Sequence, residues 1–250
     1  MCKTIAISNL KGGVAKTMTA SSLSAGLVNQ GKNVLCIDAD AQHSLTISFG
    51  VPEPHELATT PTTMMLNIIN DAEYDPLDGI IRHSDGIHLL PSNNTLAGLE
   101  TALVSVIARE TVLRQYIETV KQRYDYVIVD CAPSLDLLTI NALAAADEVI
   151  IPVVPRYLDA KGLELLLRTI ARIQKQINPN LSIGGILLTM VDKRANFTRE
   201  IITLLESAYG DSIRVFREHI PHSVRAVEST AQGISIFTYD PSATVFLSNL

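Results

Sequence analysis

A ten-residue stretch near the start of the chain, Ser8-Asn9-Leu10-Lys11-Gly12-Gly13-Val14-Ala15-Lys16-Thr17, restricts the possible folds more than any other. The apolar run Thr4-Ile5-Ala6-Ile7 precedes it and reads as a buried strand. Small and apolar residues from Thr19 to Leu27 follow at helical spacing. Strand, glycine turn, Lys-Thr pair and helix, in that order, make the context of a phosphate-binding loop. Gly12 and Gly13 let backbone N–H groups approach phosphate oxygens. A helix beginning near Lys16 aims its positive end at the same anion. Lys16 adds a point charge for the outer phosphates, and the Thr17 hydroxyl suits Mg²⁺. The plainer alternative is a glycine turn flanked by two solvated lysines.

Downstream, apolar β-type runs alternate with helical patterns. This predicts an α/β fold: one doubly wound, mainly parallel sheet with helices on both faces. With 250 residues, 47% of them apolar, a single domain over 1–250 has ample core without disulfides or metals. Cys2, Cys36 and Cys131 are scattered, with no C-x-x-C pair, and are expected as reduced thiols of a cytosolic protein. A net charge of −6 argues against constitutive nucleic-acid binding by a monomer and leaves room for a local basic patch. Met1-Cys2-Lys3 leads straight into the first strand, so no leader, membrane anchor or N-terminal helix-turn-helix is expected.

Two further segments end apolar strands in carboxylates. Val34-Leu35-Cys36-Ile37 runs into Asp38-Ala39-Asp40-Ala41-Gln42, and Tyr126-Val127-Ile128-Val129 ends in Asp130. Carboxylates at the carboxyl ends of parallel strands face the ligand crevice of such folds, although Asp is also common in turns. Ile80-Ile81 and Ile87 to Pro91 read as short strands around an Asp85-Gly86 turn. Thr63–Asn70, Leu96–Ile107 and Val112–Val120 read as helices. His83 and His88 lack ligand-like spacing and read as ordinary residues.

The loop resembles the K-G-G-x-G-K-T variant of the ParA/MinD superfamily of deviant Walker A ATPases, with Ala15 replacing a glycine; we expect Ala15 at negative φ. The resemblance implies a P-loop NTPase fold. Its nucleotide contacts would be Lys11, Gly12, Gly13, Val14, Ala15, Lys16, Thr17 and Met18. Lys11 would reach the nucleotide of a second subunit. Asp38 to Gln42 is similar to the family's D-x-D-P-Q, with Ala41 for proline. By that resemblance Asp40 orients the attacking water and joins Lys11 and Lys16 as catalytic, while Thr17, Asp38 and Asp130 serve Mg²⁺.

Leu188-Thr189-Met190-Val191-Asp192-Lys193-Arg194-Ala195-Asn196 resembles L-T-M-x-D-x-R-x-N. Ile220-Pro221 through Glu228 resembles I-P-R-x-x-R/K-x-x-E-A, with His222 where arginine is frequent. These imply adenine contacts at Met190 and Pro221, and nucleic-acid backbone contacts at Arg194 and Arg225; the plainer alternative for Arg194 is a solvated loop residue. Pro241 to Leu247 looks like a C-terminal docking helix.

Taken together, the resemblance implies a slow, Mg²⁺-dependent ParA-like ATPase that partitions chromosome, plasmid or mobile-element DNA. ATP would form a homodimer with non-specific DNA affinity on the nucleoid, and a ParB-like activator would stimulate its release. Two alternatives stay open. One is a positioning ATPase acting on a protein or membrane scaffold without DNA; the other is an ATP-clamped dimer with negligible turnover.

Overall fold

The computed structural model describes residues 2–155, 159–192 and 196–241. Among these, seven strands form one sheet: β1 (Lys3–Ile7), β2 (Val34–Ala39), β3 (Ile81–Arg82), β4 (His88–Leu90), β5 (Tyr126–Cys131), β6 (Glu148–Val153) and β7 (Ser182–Leu188). Their spatial order is β3-β4-β2-β5-β1-β6-β7. All neighbours pair in parallel except β3 with β4. That antiparallel edge is the short hairpin expected around Asp85-Gly86, with Gly86 at φ 82° and the His83 N–H bonded to the Ile87 carbonyl at 2.8 Å. The P-loop-type α/β architecture inferred above is the one observed.

The helices are α1 (Lys16–Asn29), α2 (Ser44–Ser48), α3 (Pro61–Ile69), α4 (Leu96–Leu103), α5 (Val112–Val120), α6 (Leu137–Ala145), α7 (Asp159–Gln176), α8 (Asn196–Tyr209), α9 (Val224–Ala231) and α10 (Ile236–Tyr239). They cover both faces because alternate strand residues point to opposite sides. On one face Ala6, Leu35, Ile37, Val127 and Val129 pack with residues of α3 to α8. On the other, Ile5, Ile7, Cys36, Ile128 and Ile150 pack with Ala20 and Leu23 of α1, Leu45 of α2 and Phe237 of α10. Strands buried on both sides read as unbroken apolar runs, which is why they were visible in the sequence. The proposed C-terminal docking helix and Arg194 lie outside the described residues.

The turn after α2 meets the turn after α9 backbone to backbone. Gly50 (φ 73°) and Gly233 (φ 66°) approach so closely that a Cβ on Gly233 would sit 2.5 Å from the Gly50 Cα. A polar clasp surrounds this contact. The His83 ring nitrogen Nε2 bonds the Gly233 carbonyl at 2.8 Å, and the ring packs on Phe49 at 5.0 Å. Asp85 accepts from the Ser235 N–H and the Thr238 hydroxyl, both at 2.8 Å.

Candidate nucleotide site

The loop after β1 is held from several sides. The Asn9 side-chain amide donates to the Pro152 carbonyl at 2.7 Å, and its oxygen accepts the Lys11 N–H at 3.1 Å. The Thr189 hydroxyl donates to the Val14 carbonyl at 3.0 Å. Helix α1 then starts at Lys16 with no side-chain cap on its first turn. Those amides keep their donor capacity for a ligand. A Cβ built on Gly12 or Gly13 would meet no atom within 4 Å, so an open cradle lies in front of them. Both observations fit a bound phosphate.

Ala15 corrects an expectation. Its φ is +64°, in the left-handed region, where we had expected a negative value. The geometry follows from what Ala15 joins: its carbonyl accepts both the N–H (2.9 Å) and the hydroxyl (2.7 Å) of Thr19, so it must turn directly into the helix. The methyl group costs about 1 kcal/mol there. Ala15→Gly is therefore expected to raise stability by about 0.5 kcal/mol, after the greater freedom of glycine in the unfolded chain is deducted. The midpoint of urea unfolding reads this directly, and a loss in its place would contradict the assigned backbone.

Lys16 is buried, and burial lowers its pKa, opposed mainly by Asp130. Its Nζ donates to the Lys11 carbonyl at 3.2 Å. The Thr17 hydroxyl donates to Asp130 Oδ2 at 2.7 Å. Asp130 Oδ1 is buried and has no hydrogen-bond partner. A buried carboxylate oxygen left unsatisfied beside a hydroxyl fits a cation held between them.

Asp38 is the register partner of Asp130 on the adjacent strand and is fully buried. Its Oδ2 accepts the N–H (2.8 Å) and hydroxyl (2.7 Å) of Thr46, and its Oδ1 accepts the Asp40 N–H at 3.2 Å. Sequence reasoning missed Thr46, whose only signal was a β-branched hydroxyl residue in a five-residue helix. Asp40 is half-buried at the cavity edge, and its Oδ1 accepts the Gln42 N–H at 2.9 Å.

Burial pushes the Asp38 carboxyl up to about 6, and burial together with Asp38 holds Asp130 well above the usual range. The folded protein thus keeps protons that the unfolded chain releases. The stability this adds is complete below pH about 4 and is lost as the pH rises through about 6 for Asp38, at most about 3 kcal/mol. Asp130→Asn removes one charge while its amide oxygen still accepts from Thr17. Its nucleotide-free Tm is expected about 3 °C or more above wild type at pH 7.5, with the gain shrinking toward pH 4.5. An equal difference at both pH values would count against the charge argument.

A cavity of about 750 Å³ opens over the loop, a size that suits a nucleotide. Gly12, Gly13, Ala15, Lys16, Thr17, Met18 and Asp40 are part of its lining. Met190, Pro221, Ala226, Val227 and Ile47 add largely apolar surface to it. Met190 has φ 52°, and the Val191 N–H bonds the Ile220 carbonyl at 3.0 Å, bringing the Met190 and Pro221 segments together. Val14 is buried behind the loop. The contribution of Ile47 was not visible in the sequence.

Arg225 is exposed on α9 and is ion-paired with Asp240. Lys11 is half-buried at the mouth of the loop. Among the described residues no helix is long and apolar enough to cross a membrane.

The family model for an AAA domain matches residues 2–183. The sporulation initiation inhibitor protein Soj of Bacillus subtilis is 42% identical over 243 residues, 96% of this chain and 92% of its own length. The chromosome partitioning protein ParA of Caulobacter vibrioides is 34% identical, over 95% of this chain and 87% of its own. A crystal structure of cobyrinic acid a,c-diamide synthase from Mycobacterium smegmatis, with bound ADP and magnesium, superposes with a TM-score of 0.83 at 35% identity. It covers 94% of this chain and 91% of that one. The phosphate cradle, the paired strand-end carboxylates and these full-length similarities agree: the chain belongs to the AAA-domain family and, within it, to the ParA/Soj-like partition ATPases.

Proposed function

We propose that this chain hydrolyses ATP slowly with Mg²⁺, and that the ATP state is a homodimer that binds DNA without sequence preference. The observation that carries the reading is the unpartnered Asp130 Oδ1 beside the Thr17 hydroxyl, under an uncapped helix N-terminus. Thr17 and Asp130 would hold Mg²⁺, with Asp38 adjacent, and the ion would neutralise phosphate charge. The amides of Gly12, Gly13 and the first turn of α1 bind the phosphate chain. Lys16 supplies charge from a desolvated position, where it is most effective. Asp40 orients water for attack on the terminal phosphorus, and Met190 and Pro221 wall the base.

Lys11 supplies charge to the nucleotide of the opposite subunit, so ATP joins the pair. Arg225, and Arg194 beyond the described residues, then contribute from both subunits to one DNA-facing surface on the nucleoid. Doubling a weak set of phosphate contacts raises affinity steeply. A ParB-like partner stimulates hydrolysis, which removes the bridging contacts and releases the dimer.

The test is DNA binding measured with ATP, with ADP and without nucleotide over a salt series. The expected result is affinity that appears with ATP and falls steeply with salt. Equal affinity without nucleotide would overturn the reading.

A further inference from the structure

We propose that Thr46 is a positioning residue that sets Asp40, acting through Asp38. The inference rests on the reading of Asp40 as the residue that orients water. Thr46 is completely buried. Its hydroxyl oxygen accepts the Ser92 N–H at 2.8 Å, so its single proton is directed to Asp38 Oδ2, at 2.7 Å. The Thr46 N–H reaches the same oxygen at 2.8 Å. Two donors on one side of the carboxylate fix its rotation, and the opposite oxygen, Oδ1, is left to receive the Asp40 N–H at 3.2 Å. The Asp40 carboxylate then closes its own turn on the Gln42 N–H. A chain of four directed hydrogen bonds thus runs from the segment after β4, through α2, to the loop at the end of β2. Asp38 is its central link. The same neighbourhood gives Asp130, and not Asp38, the oxygen that lacks a protein donor.

The hydroxyl is the specific requirement. Thr46→Val keeps the shape and the N–H while removing the donor to Asp38 and the acceptor for Ser92. Thr46→Ser keeps both. Single-turnover hydrolysis and the affinity for a non-hydrolysable ATP analogue would be measured for each. Thr46→Val is expected to slow the chemical step about tenfold or more, with affinity within about threefold, and Thr46→Ser to restore the rate to within about threefold. In an Asp40→Ala background Thr46→Val should add no further loss, since it acts through the residue already removed. An undiminished rate in Thr46→Val, or the same loss with and without Asp40, would overturn the proposal. Amide hydrogen exchange at Asp40 in the nucleotide-free protein separates this from failure of the ATPase reading. Protection there should fall in Thr46→Val and persist in Thr46→Ser even if wild type hydrolyses nothing, and unchanged protection in Thr46→Val would also refute it.

Discussion

Asp40→Ala is expected to slow single-turnover ATP hydrolysis about 100- to 1,000-fold while leaving ATP affinity within about threefold. The carboxylate lies at the edge of the cavity next to the phosphate loop, where it accepts the Gln42 N–H of its own turn. Removing it therefore disturbs no core packing. The main groups that bind phosphate, Lys16 and the amides of the loop and α1, remain in place. Loss should thus fall on the chemical step and not on binding, the signature of a group that acts in the transition state. The variant should also accumulate as an ATP-loaded dimer, because release depends on turnover. Quenched-flow hydrolysis and equilibrium nucleotide binding on the same preparation give both numbers. A rate within threefold of wild type would favour an ATP clamp with negligible turnover, in which no residue orients water.

Lys11→Ala is expected to weaken ATP-dependent dimerisation on the order of 100-fold, with ATP affinity of the single subunit changed less than about tenfold. The backbone of Lys11 is fixed at both ends, its N–H by Asn9 and its carbonyl by Lys16 Nζ. Truncation of the side chain should therefore leave the loop intact. A desolvated ammonium–phosphate contact made across the interface twice, once per subunit, accounts for a loss of this size. Sedimentation velocity in the Asp40→Ala background avoids interference from hydrolysis. Persistence of the dimer in the double variant would remove the cross-subunit role of Lys11.

Much of the fold could be read from residue order because parallel strands covered on both faces are long apolar runs, and their ends were marked by Asp38 and Asp130. The β3–β4 hairpin was marked by Asp85-Gly86. What could not be read were relations between distant residues and local dihedral angles. The φ of Ala15 is set by the demand that its carbonyl start a helix, which its methyl group does not advertise. Asp38 looked equivalent to Asp130 as a strand-end carboxylate, yet Thr46, eight residues on, occupies one of its oxygens and leaves it unlike its neighbour. His83 read as ordinary from its spacing, yet its ring clasps Gly233, 150 residues away. The resemblance implied a nucleic-acid contact at Arg225; its pairing with Asp240 means that a phosphate there would compete with a carboxylate already in place.

The meeting of Gly50 and Gly233 has a mechanical result for the cleft. Bare main chain against bare main chain contains no rotamer to absorb displacement, so the helix carrying Val227 and the helix carrying Thr46 are geared together. Displacement of the helix carrying Val227 is thereby expected to carry over to the helix carrying Thr46 and, through Asp38, to the Asp40 turn. On the proposed reading of that turn, an ill-fitting base is expected to slow turnover as well as to weaken binding.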